Sequence, residues 1–428
     1  MTQSKFFCKF AKIIIMKKLI PTLFLISYFL TSFSQVPHLY DHSFPIVNSI
    51  DPKVENLLEQ VSVDSIMSSV GHLTSYLNRR ADGPYIYNVK DWLVEKYHSF
   101  SLDSIYLHDF EVIPFWDTVP RPFSTAPNVI AIQPGKTNHE EIIICGGHFD
   151  STVKLTEPYS VDTVCSPGAD DNASGVAGIL ETARILSKYE FKRTIIYANW
   201  NAEEFGLCGS SEYAKNCAAD SLDIVAYFNL DMTGYLNPGD NIHIHLLYGN
   251  PDSLLGKFVR QVGKQYLPDV KLSHAWLSGG ADTDYSSFNR NGYPAISQSE
   301  DVNNMSPYIH SINDIIGLSI NNWNQTVVFT KLNIASVALA AGFFEESVNE
   351  NYADIINIYP NPADDFIKID GDYESFDIFD GFGRKIYSQN VWKNIDKISV
   401  KEWQSGIYII RFLTVNRDVA TKKFFVKH

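Results

Sequence analysis

The 428-residue chain is predicted to be α/β, a mostly parallel mixed sheet covered by helices on both faces, followed by a small all-β sandwich. Three observations carry this reading. Apolar strand-like runs alternate with helix-period segments through the middle of the chain, and acid-rich turns follow several of those runs. Beyond about residue 355 the texture changes to short strands punctuated by Gly and Pro. Alternating strands and helices imply parallel neighbours joined by crossover helices. The length allows two or three domains at about 100 to 200 residues each, and 45% hydrophobic with 13% aromatic residues supplies a sizeable core. Thirty-five Lys plus Arg against 49 Asp plus Glu leave a net charge of −14. With no basic cluster, that balance excludes nucleic acid as an expected partner.

At the N-terminus, Lys17 and Lys18, the mostly apolar run Leu19 to Leu30 and the small-residue stretch Thr31 to Ser34 have the order of a cleavable secretory signal. The apolar run is shorter than the ~20 residues that span a bilayer, so no transmembrane anchor is expected in the mature protein. Residues 1–34 are therefore read as a signal peptide, with Met16 as an alternative start, and residues 35–60 as an N-terminal extension. Removing Cys8 with the signal leaves Cys145, Cys165, Cys208 and Cys217, which allow three pairings in an oxidising compartment.

Residues 61–345 form the expected main domain. Its opening, Val61 to Phe100, has helical spacing at Ile66, Val70, Leu73 and Leu77 and again at Val89, Trp92, Leu93 and Tyr97. A β-type segment ends at Asn128 to Ile132. Strands are expected at Glu141 to Cys145, Thr194 to Asn199, Ile224 to Leu230, Asn241 to Leu247 and Ala295 to Ser297. Helices are expected at Gly175 to Tyr189, Ser210 to Ala218, Asp252 to Tyr266 and Asn321 to Phe344. A polar linker, 346–354, leads to residues 355–428, where about seven short strands predict the sandwich.

Ligands in such a sheet collect beyond the carboxyl ends of the strands. There the sequence places His148 and Asp150, then Glu203 and Glu204, then Asp231; Asp170 and Asp171 lie in a loop entering a helix, and His310 comes later. Imidazole with carboxylates suits zinc. His148, Asp171, Glu204, Asp231 and His310 are one or two ligands more than a single catalytic zinc uses, so a two-metal site bridged by one carboxylate is expected. Asp171 is the natural bridge, in a loop whose glycines let the backbone approach the ions. Asp150 is placed to orient His148 through its other ring nitrogen. Neighbours on an extended chain point apart, so one of Glu203 and Glu204 is expected to stay free as a general base.

The stretches GGHFDST (146–152), PGADDNASG (167–175), NAEEFGLCGS (201–210), NLDMTGY (229–235) and YIHSIND (308–314) occur in one order that closely resembles metallopeptidase family M28. The resemblance covers about residues 60–345 and extends to the opening LTSYLNRRADGPY (73–85). It implies the zinc exopeptidase fold and two Zn2+ ions, one held by His148 and Asp231, the other by Glu204 and His310, with Asp171 bridging and Glu203 as the base. It also implies a non-proline cis peptide at Asp171-Asn172. Asp284 and Tyr285 resemble a substrate-pocket segment, with Tyr285 replacing the usual His and Ser278, Gly279, Gly280 and Asp282 standing where relatives carry a disulfide and a tyrosine. The implied activity is an aminopeptidase that removes N-terminal residues from peptides or proteins through a metal-activated water. Glutaminyl cyclase and carboxypeptidase activity, for which Arg290 is a candidate anchor, and a non-catalytic binding protein on the same fold are the alternatives. No Gly-x-Ser-x-Gly elbow is present for a serine nucleophile.

The tail, from Ile358-Tyr359-Pro360-Asn361-Pro362 through Ser405-Gly406-Ile407-Tyr408 to Lys427, resembles the C-terminal sorting domain of type IX secretion. This implies the type IX machinery as a partner and export through the periplasm and outer membrane to the cell surface or medium.

Overall fold

The computed structural model describes residues 42–113, 122–154, 160–249, 253–275, 282–344, 356–371, 373–381, 383–390, 397–413 and 419–428. The expected signal peptide and linker, and Ser278, Gly279 and Gly280, lie outside the described residues.

Three helices open the domain: α1 Pro52–Glu59, α2 Val63–Leu73 and α3 Ile86–Ser99. Asp51 caps α1 by accepting the Lys53 N–H, and Ser62 caps α2 by accepting the Ser65 N–H. The helical reading of Val61 to Phe100 is thus interrupted. Between α2 and α3 the chain turns inward and buries Asn78, Arg79 and Arg80. Val54, Leu57 and Leu58 of α1 join the core beneath the sheet, so that core begins inside the segment read as an extension.

The main sheet has eight strands: β1 Ile105–His108, β2 Asn128–Gln133, β3 Asn138–His148, β4 Arg193–Trp200, β5 Asp223–Leu230, β6 His243–Leu247, β7 Lys271–Ala275 and β8 Ala295–Ser299. Their order across the sheet is β1-β2-β4-β3-β5-β8-β6-β7. The centre, β4-β3-β5-β8, is parallel; β2 and β6 attach to it antiparallel on either side. The expected mostly parallel mixed sheet is present. The strand β7 was not anticipated, because Lys-Leu-Ser-His-Ala carries too little apolar signal.

Alternate residues of the central strands enter two buried clusters. Ile143, Cys145, Ile195, Tyr197 and Phe228 face one, while Ile144, Ile196, Ala198, Trp200 and Tyr227 face the other. Period-two side chains with both faces apolar require cover on both sides. The first face is covered by α1–α3 with α4 Gly175–Leu186, α6 Leu254–Tyr266 and α8 Trp323–Ala341; the second by α5 Cys208–Ala219 and α7 Tyr285–Arg290.

The tail forms seven strands: β9 Asn357–Tyr359, β10 Phe366–Asp370, β11 Ser375–Phe379, β12 Lys385–Asn390, β13 Ile398–Ser399, β14 Gly406–Leu413 and β15 Val419–Val426. They make a three-stranded sheet, β9-β10-β13, and a four-stranded sheet, β12-β11-β14-β15. Ile367 and Ile398 from the first share one buried cluster with Phe376, Ile410 and Phe424 from the second. The four cysteines Cys145, Cys165, Cys208 and Cys217 are free thiols. Among the described residues, no helix is long and apolar enough to cross a membrane.

β3 and β5 approach closely where β3 reaches the site. A Cβ added at Gly147 would lie 2.5 Å from the Leu230 carbonyl oxygen, a backbone atom that cannot move without parting the strands. Gly147→Ala is expected to cost about 1 to 3 kcal/mol as overpacking, read as a lower urea midpoint with an unchanged slope.

Candidate metal centre

Five chain segments meet beyond the carboxyl ends of β3, β4 and β5. His148 is the last residue of β3; Glu203 and Glu204 follow β4 by three and four residues; Asp231 directly follows β5. The β3 end is a switch point, since the chain goes from β3 to β4 on one side and then to β5 on the other. Asp171 enters from the turn Ala169–Ser174, whose Asp171-Asn172 peptide is cis, as the resemblance implied. His310 arrives on the loop before α8.

Asp171 lies between the two histidines. Its Oδ1 is 3.2 Å from His148 Nε2 and its Oδ2 is 3.0 Å from His310 Nε2. His148 Nε2 is also 3.5 Å from Asp231 Oδ1, and His310 Nε2 is 3.2 Å from Glu204 Oε2. Donors on a tetrahedral ion with bonds of about 2.0 Å stand about 3.3 Å apart. Both triads, His148–Asp171–Asp231 and Asp171–Glu204–His310, therefore have the span of a metal ligand set and share Asp171. Glu203 and Glu204 also lie within ligand span of His148. Only Glu204 faces His310, which leaves Glu203 the less engaged of the two.

Charge points the same way. Burial opposes protonation of His310, but Glu204 and Asp171 outweigh it and raise its pKa to about 10. His148, buried likewise, is raised well above its ordinary value by Glu203 and Asp231. Burial raises Glu204 to about 7, and it raises Glu203 as well, with Glu204, Asp284 and Asp231 adding to the effect and His148 opposing it. Two imidazoles holding protons against burial mark a place that demands positive charge. Glu204 Oε1 and Asp231 Oδ1 are buried without a hydrogen-bond partner. A cation between them would satisfy both oxygens, and the donor set of nitrogen and oxygen suits zinc.

Asp150 faces His148 Nδ1 through two groups and has a further task. The nearest acceptor for His148 Nδ1 is the Asp150 backbone carbonyl at 3.2 Å, with the carboxylate at 3.5 Å. That carboxylate accepts the backbone N–H groups of Glu203 at 3.1 Å and Glu204 at 3.2 Å, and so joins the β3 and β4 ends. Asp284 is fully buried and pushed up to about 7 by burial, and Tyr285, the first residue of α7, belongs to the buried cluster that also holds Tyr213 and Phe288. The reason is local, since the two residues start a helix that lies on the sheet face.

Residues with no predicted role hold the Asp171 loop. Asp314 accepts the N–H of Asp170 at 2.8 Å and of Asp171 at 3.1 Å. Asn172 donates to the Leu230 carbonyl at 2.9 Å and accepts from Gly175 and Met232. Fully buried Arg79 donates to the carbonyls of Phe149 at 2.9 Å, Gly168 at 2.8 Å, and also Pro167 and Leu73. Burial lowers its pKa to about 10, so it stays cationic at neutral pH behind the acids. Asp314 and Arg79 sat inside recognised stretches, but burial is what reveals their work. Ala202, Met232 and His310 adopt left-handed backbone at φ 58°, 57° and 53°, each within one residue of a site carboxylate or in the site itself. Such conformations cluster where side chains must be aimed.

Residues 128–335 match the model described as Peptidase family M28, and residues 357–427 match that of a secretion system C-terminal sorting domain. A probable leucine aminopeptidase of Arthroderma otae is 30% identical over 295 residues, 67% of this chain and 74% of its own length. The chain belongs to peptidase family M28. The crystal structure of the Legionella pneumophila LapA aminopeptidase superposes with a TM-score of 0.59 at 25% identity, covering 72% of this chain and 78% of that one. A Fimbriiglobus ruber glutaminyl cyclase, at 15% identity and a TM-score of 0.53 over 65% of this chain and 95% of its own, shares the fold.

If Asp314 positions this M28 site, Asp314→Asn loses one strong acceptor for the loop amides. Zinc affinity is expected to fall about 10- to 100-fold, measured by competition with a chromogenic chelator.

Proposed function

We propose that the chain is an exported di-zinc aminopeptidase. The observation that carries this is Asp171, whose two oxygens face two different histidines, each with its own second carboxylate. His148 and Asp231 would hold one zinc, Glu204 and His310 the other. When bound, the two ions supply Lewis acidity that polarises the scissile carbonyl and acidifies water.

The chain's own residues do the rest. Glu203 is anchored through its N–H on Asp150, with its carboxylate left for proton transfer. Its pKa is raised by burial, which suits a group that takes a proton from the attacking water and returns it to the departing amine. The Asp150 tie keeps Glu203 and Glu204 in fixed relation to His148, so base and ligands move together. The excess of carboxylates favours a cationic α-amine over a blocked terminus. A carboxypeptidase would need a free basic group for the substrate carboxylate; Arg290 is instead engaged by Asp282 at 2.8 Å. The matched sorting tail supports export through the type IX machinery to the surface or medium.

Glu203→Gln is expected to lower kcat by about 10²- to 10⁴-fold with zinc content unchanged. On the wild type, an amino-terminal chromogenic amide should be cleaved and its N-acetylated form left intact. Cleavage of both, or cyclisation of N-terminal glutamine in place of hydrolysis, would sink the aminopeptidase reading. Chelation should abolish turnover and two equivalents of zinc at this site should restore it.

A further inference from the structure

A second group of metal-binding side chains shares no residue with the M28 site. His243 and His245 alternate on β6 with the core residues Ile244 and Leu246 and so face the opposite side of the sheet. β8 runs beside β6, pairing Ser299 with His245, and Asp301 follows two residues on. His245 Nε2 is 3.2 Å from His243 Nδ1 and 3.6 Å from Asp301 Oδ1, and His243 Nδ1 is 4.0 Å from Asp301 Oδ2. These spans bracket the roughly 3.3 Å between donors on a tetrahedral ion. The far nitrogen of His243 is held by Ser273 Oγ at 2.7 Å on the adjoining β7, the kind of outer contact that fixes a ligand's tautomer. His243 and Asp301 also line a cavity of about 830 Å³, which provides room for a water in a fourth position.

We propose that His243, His245 and Asp301 form a further zinc site, which ties the end of β8 to β6 and opens on this cavity. Two imidazoles and one carboxylate select a d-block ion over calcium or magnesium, which prefer all-oxygen shells. Loading has a cost. The Val302 N–H meets His245 Nδ1 at 3.1 Å, so the ring proton sits on Nε2 and is shared with His243. Binding through Nε2 moves that proton to Nδ1 and gives up the Val302 contact. That cost lowers the affinity of the site for every ion alike.

The full chain, stripped of metal, would be titrated with zinc against a chelator. Wild type is expected to bind three equivalents, and His243→Gln and Asp301→Asn two each. Ser273→Ala should keep three, with one weakened about 10- to 100-fold. A zinc count that both His243→Gln and Asp301→Asn leave unaltered overturns the proposal, whatever that count is. Loss of zinc from Asp171→Ala alone bears on the M28 site and leaves the His243 equivalent in place. Should the variants fail to fold, labelling of wild-type imidazoles with diethyl pyrocarbonate decides. Zinc is expected to protect His243, and equal labelling with and without zinc overturns the site.

Discussion

Asp171 and Asp231, both buried, converge with half-buried Glu203 and Glu204, and Asp150 and Asp284 are buried around them. Two like charges 4 Å apart cost about 4 kcal/mol at the effective dielectric of a protein near its surface, and more pairs than one are involved here. Neutrality has to be restored locally. Without metal, His148 and His310 do this by holding protons that burial alone would remove. Divalent ions between the same groups would do it better, and each donor already stands at about the separation that an ion requires.

Holding repelling groups together takes rigid support, and much of it is itself charged. Asp150 and Asp314 spend their carboxylates on backbone N–H groups, two each, so they fix loop positions without competing for the central cation. Arg79 adds a buried positive charge and grips carbonyls on both the β3 end and the Asp171 loop. The acids of this site thus fall into two kinds, those that face the centre and those that face the backbone. Sequence spacing does not separate the kinds: Asp170 and Asp171 are neighbours in one loop, yet Asp170 accepts the Gly234 N–H while Asp171 faces the two histidines.

That division explains what the sequence made legible. Strand ends were readable because long apolar runs stop abruptly at polar residues, as at His148, Asn201 and Asp231. The ligand-span clusters contain the five predicted ligands and Glu203, drawn from segments scattered from residue 148 to residue 310. Elements without periodic contrast were missed. The strand β7 is polar on alternate and adjacent positions alike, and in the segment between α2 and α3 the local breakers Gly83 and Pro84 show in the sequence while the burial of Asn78 and Arg79 on partners far along the chain does not. Long-range partners of that kind leave no mark on local pattern. The same holds for Asp284 and Tyr285, whose burial at the start of α7 the local sequence does not show.

The two cores of the chain stand in different relation to metal. Any ion that binds the folded site and not the unfolded chain adds its binding free energy to the stability of the sheet that carries it. Charge repulsion at the β3, β4 and β5 ends works against that same sheet whenever the ions are missing. The tail has its own buried cluster, built from Ile356 to Val426, with no acid cluster of this kind among its buried residues. Among the described residues, what holds that cluster together is apolar packing.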